Sequence, residues 1–429
     1  MKCGTAVRCI TPARPMNLAG YGTRIHPFDG IYHDIYVRAM AIESGQSRVV
    51  FVVADVLFLG DDIILPVQRR LDEQAGLEPA ELVFLATHTH TAPAVRIEDG
   101  NAWGDIDLEY VDELREALFT TAKEALESAQ SCTLTFHRGT CDIGINRRVV
   151  VEGAVNMWPN PDAVIDRSLD VLVARDPTGE VFSVFTSCSC HPVTTMDYEV
   201  GADFPGYMRD DIEEAFPGSV ALFAQGSCGD INPTTYGENG LFQFGDLEKT
   251  RAIGHQLARS VLRTMDGDGE VIDGPIRVRD EIVEMPFVKE LDRENLEQKV
   301  ENPEFEWTGQ WASETLALLD RGESLPTSTG IHMQFVRIGP RFTVFTAAGE
   351  LCSEIGLNMR EIAGNPPGFV LGYASFAKGY LPSNKMYTEG GYEVFNSFFW
   401  EGLPAPYAPG IEDRLLDVAR KLTEEDPPT

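Results

Sequence analysis

The chain has 429 residues, 43% of them hydrophobic and 24% charged. That is enough apolar residue for a large buried core, with no run near the roughly 20 apolar residues that span a bilayer. A formal net charge of −32 repels phosphate backbones and anionic lipid heads, which argues against nucleic-acid binding and against a membrane partner. The opening MKCGTAVRCITPARP has no signal-peptide core, and the eight scattered cysteines form no CxxC, which predicts reduced thiols and a cytoplasmic protein.

In chain order, 34–44 and 47–55 read as strands joined by the turn Ser44-Gly45-Gln46, followed by a helix from Asp61 to Gly76 and a strand at Leu82–Ala86. Asp107 to Gln130 is an amphipathic helix, with Leu108, Val111, Leu114, Leu118 and Ala122 on one face. Strands at 132–138, 169–175 and 181–187 follow, the last two flanking the turn Asp176-Pro177-Thr178-Gly179. A helix reaches Phe216, a strand spans Ser219–Gln225, and a helix runs from Leu247 to Met265. Strand-like 276–287, helical 290–301, a loop-rich seam or lid around 302–330, strands 331–338 and 341–347, a helix from Glu350 to Ala363 and a strand at 368–374 complete the core. Hairpins interleaved with strand–helix crossovers predict an α/β fold with mixed β-sheets and flanking helices, without internal repeat, spanning 1–429 as a single domain.

The strand Leu82–Ala86 runs into Thr87-His88-Thr89-His90 and is stopped by Thr91-Ala92-Pro93. If the backbone stays extended, His88 and His90 share a face and can hold a metal or shuttle a proton; a polar loop with two histidines is the plainer alternative. The pattern recurs, with strands ending near His191, Asp230–Asn232 and Glu350. Strand ends converge on pockets in α/β proteins, and His88, His191 and Glu350 make the two-histidine, one-carboxylate set of hydrolytic zinc enzymes. Sequence spacing leaves open whether they meet. Cys188 and Cys190, beside His191, are expected to be strand residues and not ligands. A (β/α)8 amidohydrolase would carry its HxH on the first strand, whereas here two strands precede it.

At these residues the chain resembles the neutral/alkaline (non-lysosomal) ceramidase family, zinc hydrolases that cut the amide of N-acylsphingosine. Gly20-Tyr21, Arg38-Ala39, the THTH run at 87–90, Asn146-Arg147, His191-Pro192, Gly229-Asp230-Ile231-Asn232-Pro233, Ala348-Gly349-Glu350 and the pair Tyr380 and Tyr392 follow the family's motifs in order. The resemblance implies one zinc per chain, held by His88, His191, Glu350 and Tyr380. It makes His90, Arg147, Tyr392, Asp230 and Asn232 the groups around the reacting bond. His90 can move a proton, and Arg147 and Tyr392 can donate to the oxyanion, with Arg148 a competitor for Arg147.

The chain departs from the family pattern in three places. The family's serine is Asn232, and no C-terminal immunoglobulin-like domain and no secretory signal are expected. The reading is therefore a zinc-dependent amidohydrolase that uses zinc-activated water on a soluble, small-molecule N-acyl substrate, with ester cleavage open. Two alternatives stand beside it. One is a true ceramidase or lipid amidase with a groove walled by Phe395, Phe398, Phe399 and Trp400. The other is a non-catalytic zinc-binding homologue.

Overall fold

The computed structural model describes residues 1–97, 103–288, 293–303 and 306–424. Three mixed sheets carry the fold, and they are built alike. In the first, the antiparallel strands Lys2–Cys9, Tyr36–Ser44 and Ser47–Ala54 are followed by the helix Asp61–Ala75. The strand Leu82–Ala86 then returns parallel to Ser47–Ala54. In the second, Thr133–Thr140, Ser168–Arg175 and Val181–Cys188 are followed by the helix Asp203–Ala215 and the parallel strand Val220–Gln225. In the third, Ile276–Pro286, Ser328–Ile338 and Phe342–Ala347 are followed by the helix Ser353–Ile362 and the parallel strand Gly368–Leu371. Each unit ends with a second helix, Leu108–Glu127, Leu247–Met265 or Ile411–Thr423. The expectation of no internal repeat is thus corrected at the level of topology. Strands buried on both faces read as unbroken apolar runs, so the three units share an order of elements that residue identity does not display.

Alternation along the strands sorts the core. Val50, Val52, Ala54, Leu82 and Phe84 face the two helices of the first unit, while Val49, Phe51, Val53, Val83 and Leu85 face inward. The inward residues meet Leu172, Phe185 and Leu222 of the second sheet and Val336, Phe342, Val344 and Phe369 of the third. One phenylalanine from each sheet stands at the junction: Phe51 lies 5.5 Å from Phe185, and Phe185 lies 5.1 Å from Phe369. Each such ring contributes about 1.5–3 kcal/mol on full burial. A bidentate ion pair also joins two units, Arg209 to Asp55 at 2.7 Å on both oxygens, with neither side chain reaching solvent.

Several boundaries differ from the sequence reading. Lys2–Cys9 is a strand whose partly polar pattern hides it. Gly144–Val151, which carries the Asn-Arg motif, forms a hairpin with Ala154–Asn160 and pairs on its other edge with Ile231–Pro233. The stretch read as loop-rich at 302–330 contains the helix Glu306–Asp320, where Trp311 packs edge-on against Phe398 and donates to the Leu403 carbonyl. Part of the expected helix 290–301 lies outside the described residues, and Arg293–Glu301 is helical. Glu350 does not open a helix. With Leu351 it forms a two-residue strand parallel to Tyr380–Leu381, in which Glu350 and Tyr380 are register partners. Among the described residues no helix is long and apolar enough to cross a membrane.

Candidate metal centre

The parallel strand pair of every sheet ends at the same place. From the first come His88 and His90, from the second His191 and the loop to Asn232, and from the third Glu350 and Tyr373. His88 has φ +65°, with its N–H bound to the Val56 carbonyl at 3.0 Å, so the backbone is not extended there and strand alternation is not what pairs the histidines. They still meet, Nε2 to Nε2 at 3.2 Å. The Glu350 Oε2 stands 3.4 Å from His88 Nε2 and 3.1 Å from His191 Nε2, and the Tyr380 hydroxyl is 3.4 Å from His191 Nε2. His88, His191 and Glu350 are almost wholly buried. His90 and Tyr392 are half-buried, so the site opens on their side.

The tautomers follow from the partners. The Nδ1 atoms of His88, His90 and His191 face the carbonyls of Leu57, Gly20 and Cys228 at 3.0, 3.1 and 2.6 Å. A carbonyl only accepts, so each Nδ1 carries the proton and each Nε2 presents a lone pair. Lone pairs facing one another and a carboxylate oxygen at these distances repel unless a cation or proton lies between them. A tetrahedron with bonds of 2.0–2.2 Å has edges of about 3.3–3.6 Å, close to the spacing found here. His88, His90 and His191 form a group able to hold a metal ion, and Glu350 and Tyr380 reach its edge. The residues fit a zinc-type ion.

Electrostatics set the same state. Burial, reinforced by Arg147, depresses His191 to about 4, and burial with the neighbouring His88 and His191 holds His90 well below its ordinary value. Burial alone would raise Glu350, but positive charge shared with the imidazoles of His88 and His191 reverses this and keeps it well below the usual carboxylate range. Neutral imidazole and ionised carboxylate are the ligating forms. The sign for stability follows from linkage: between about pH 6.5 and 4 the unfolded chain takes up a proton that folded His191 refuses. Its contribution is therefore complete above about pH 6.5 and is lost as pH falls toward 4, on the order of 3 kcal/mol in the apoprotein. Urea melts of metal-free protein should show this decline, and His191→Gln should flatten it.

Arg147 is the arginine that reaches the centre. It donates Nη2 to the Tyr380 hydroxyl (3.0 Å), Nη1 to Asn232 Oδ1 (3.1 Å) and Nε to Glu393 (2.9 Å). Arg148 turns instead to Glu393, Glu389 and the Gly390 carbonyl. A register shift between Asn146 and Arg148 lets consecutive arginines grip one carboxylate. Burial alone would weaken the Arg147 charge, but Tyr380 and Glu393 keep it protonated. Tyr392 stands edge-on to Tyr380 with ring centroids 5.6 Å apart. Asp230 faces away from the histidines. It accepts from Asn146 Nδ2 (2.8 Å) and from the Ser353 N–H and hydroxyl (2.8 and 2.7 Å), so it braces the loop that carries Asn232.

Cys188 and Cys190 are buried away from the group, with the Cys190 sulfur 3.8 Å from the Ile143 carbonyl. Of the aromatics expected to wall a groove, Phe398 is buried against Phe399 and Trp311, and Trp400 stacks on Trp103 at 5.1 Å. Tyr373, Cys228 and Glu393 were not singled out from the sequence. Glu393 adjoins Tyr392 and Cys228 adjoins the motif at 229–233, whereas nothing local marks Tyr373.

An α/β fold whose strand ends gather imidazoles and a carboxylate around one point has the makings of a metal site. Residues 2–243, more than half of the chain, match the model of the neutral/alkaline non-lysosomal ceramidase family, N-terminal domain, and the chain belongs to that family. Among solved structures it is similar to neutral ceramidase from Pseudomonas aeruginosa. The TM-score is 0.76 at 18% identity, over 98% of this chain and 74% of that one. A ceramidase complexed with C2 is similar at TM-score 0.75 and 18% identity, with the same coverage. The family places the chain among amide hydrolases, and these structures establish the shared fold.

Proposed function

We propose that this protein is a zinc-dependent hydrolase of an amide bond in a soluble N-acyl compound, with zinc held by His88, His191, Glu350 and Tyr380. The carrying observation is that three histidines are fixed by carbonyls at Nδ1, and their Nε2 atoms converge where Glu350 and Tyr380 arrive. Bound there, zinc supplies Lewis acidity and makes water nucleophilic near pH 7.

The chain's own groups do the rest. His90, neutral and on the open side, accepts the water's proton at Nε2 and passes it to the leaving amine. Asn232 and Tyr392 donate to the carbonyl oxygen as negative charge develops on it, while Arg147 fixes Asn232 and Tyr380. The formal charge of −32 favours a soluble substrate over one embedded in an anionic membrane, and a reducing, cytoplasmic setting suits eight free thiols. A ceramide substrate remains the competing reading that family membership favours.

Metal analysis together with hydrolysis of soluble N-acyl amides and of ceramide, with and without chelator, tests the proposal. About one zinc per chain and chelator-sensitive amide cleavage are expected. Zinc-replete protein that cuts neither amide nor ester would leave the non-catalytic reading. His90→Ala separates two ligand sets. It should keep zinc while losing roughly 10²–10⁴ in turnover. Loss of the metal would put His90 among the ligands in place of Tyr380.

A further inference from the structure

Tyr373 follows the strand Gly368–Leu371 in a conformation that an aromatic residue rarely adopts, φ +55°. Its backbone is held there from both sides. The N–H donates to the Gly349 carbonyl at 2.9 Å, one residue before Glu350. The carbonyl accepts from Ala86 N–H at 3.1 Å, two residues before His88. The turn sits among glycines: a Cβ on Gly372 would lie 3.1 Å from the Gly226 oxygen and 3.2 Å from that of Gly349. Backbone strain held this firmly marks a side chain that is wanted in one place.

That side chain reaches Glu350. The Tyr373 hydroxyl lies 3.2 Å from Glu350 Oε2, the oxygen facing His88 and His191, and its ring packs 4.2 Å from the His88 ring. An ionised carboxylate only accepts, so the tyrosine donates. Its own oxygen then accepts from the Cys228 thiol at 3.1 Å. Burial keeps both the phenol and the thiol protonated. Cys228 also offers its carbonyl to His191 Nδ1 at 2.6 Å. One buried residue therefore supports two of the proposed ligands, one through its backbone and one through its thiol. A phenylalanine at 373 would fill the same space without touching Glu350, so packing alone does not call for the hydroxyl.

We propose that Tyr373, held by Cys228, is a positioning residue that fixes the Glu350 carboxylate in its metal-binding orientation. The inference rests on the proposed metal site and adds to it a hydrogen-bonded support. Supports of this kind typically change metal affinity about 10–100-fold.

Zinc affinity measured by competition with a chromogenic chelator tests it on parent, Tyr373→Phe, Cys228→Ala and Cys228→Ser. Tyr373→Phe should bind zinc about 10–100-fold more weakly while the metal-free protein keeps the parent's circular dichroism and melting profile. The cobalt-loaded variant should show altered visible bands, because a loosened carboxylate changes the coordination sphere. Cys228→Ala should weaken zinc to a smaller degree, and Cys228→Ser, which keeps a donor to the phenol oxygen, should restore it. If Tyr373→Phe does not fold, the two Cys228 variants decide the matter, and equal zinc affinity in both overturns the proposal. Tyr373→Phe with parental affinity and cobalt spectrum overturns this proposal and leaves the metal site standing. Parent protein that takes up no zinc overturns both.

Discussion

His88→Ala is expected to come through purification without zinc and to hydrolyse no amide, while its fold survives. His88 Nε2 is the atom that touches both His90 and Glu350, at 3.2 and 3.4 Å, so its removal opens the middle of the donor set. The fold has independent supports. The inward faces of three sheets pack together around Phe51, Phe185 and Phe369, and none of those contacts passes through the imidazole. The backbone at His88 is left-handed, where alanine is disfavoured by roughly 1–2 kcal/mol. Asparagine tolerates that region, so His88→Asn is the better control for stability. Zinc content by elemental analysis and a thermal melt check both halves of the expectation. A variant that retains stoichiometric zinc would remove His88 from the ligand set.

Asn232→Ala is expected to retain zinc and to lose roughly 10²–10³ in turnover, the usual effect of deleting one oxyanion donor. The orientation of its carboxamide follows from chemistry: Arg147 can only donate, so the atom at 3.1 Å from Nη1 is Oδ1, and the NH2 group points away from the arginine. The residue is 2% exposed, and Nδ2 has no partner among the described residues, which leaves that donor for a substrate carbonyl. Asn232→Asp tests the assignment directly. It keeps the contact with Arg147 but has no hydrogen to give, so the fold should hold and turnover should fall as far as in the alanine variant or further. Asn232→Ser need not improve the rate, because in the proposed reaction the nucleophile is water and not a side chain. Steady-state turnover with metal content measured on the same samples distinguishes these outcomes. Asn232→Asp at parental rate would exclude the donor role.

Much of the centre was legible because it is carried by short runs of unusual residues at strand ends: His88 after Leu82–Ala86, His191 after Val181–Cys188, and Asn232 in a glycine-bounded loop. The meeting of Glu350 with Tyr380 came only from the family resemblance, because it depends on a two-residue parallel ladder that has no periodicity to read. The way the first two histidines meet was not legible. The left-handed turn at His88 brings together two imidazoles that an extended strand would also have placed on one side, so the right pair came from the wrong geometry. Tyr373 was invisible for a related reason: its contact with Glu350 crosses between loops from two strands, and an isolated tyrosine in an apolar run reads as core. The C-terminal helix Ile411–Thr423 lies beyond the last expected element, the strand at 368–374, although its pattern is regular. Ile411, Leu415, Leu416, Ala419 and Leu422 make a plain amphipathic stripe.

The threefold plan bears on how the protein comes to exist as a working object. Each unit seals one face of its sheet with its own helices, yet leaves the other face bare until the remaining two arrive. The proposed donors are divided the same way, imidazoles from the first and second units and a carboxylate and phenol from the third. A nascent chain therefore carries the three imidazoles once its first two units exist, yet lacks Glu350 and Tyr380 until the last third has been synthesised and docked, so the proposed centre is complete only when all three units have closed on one another.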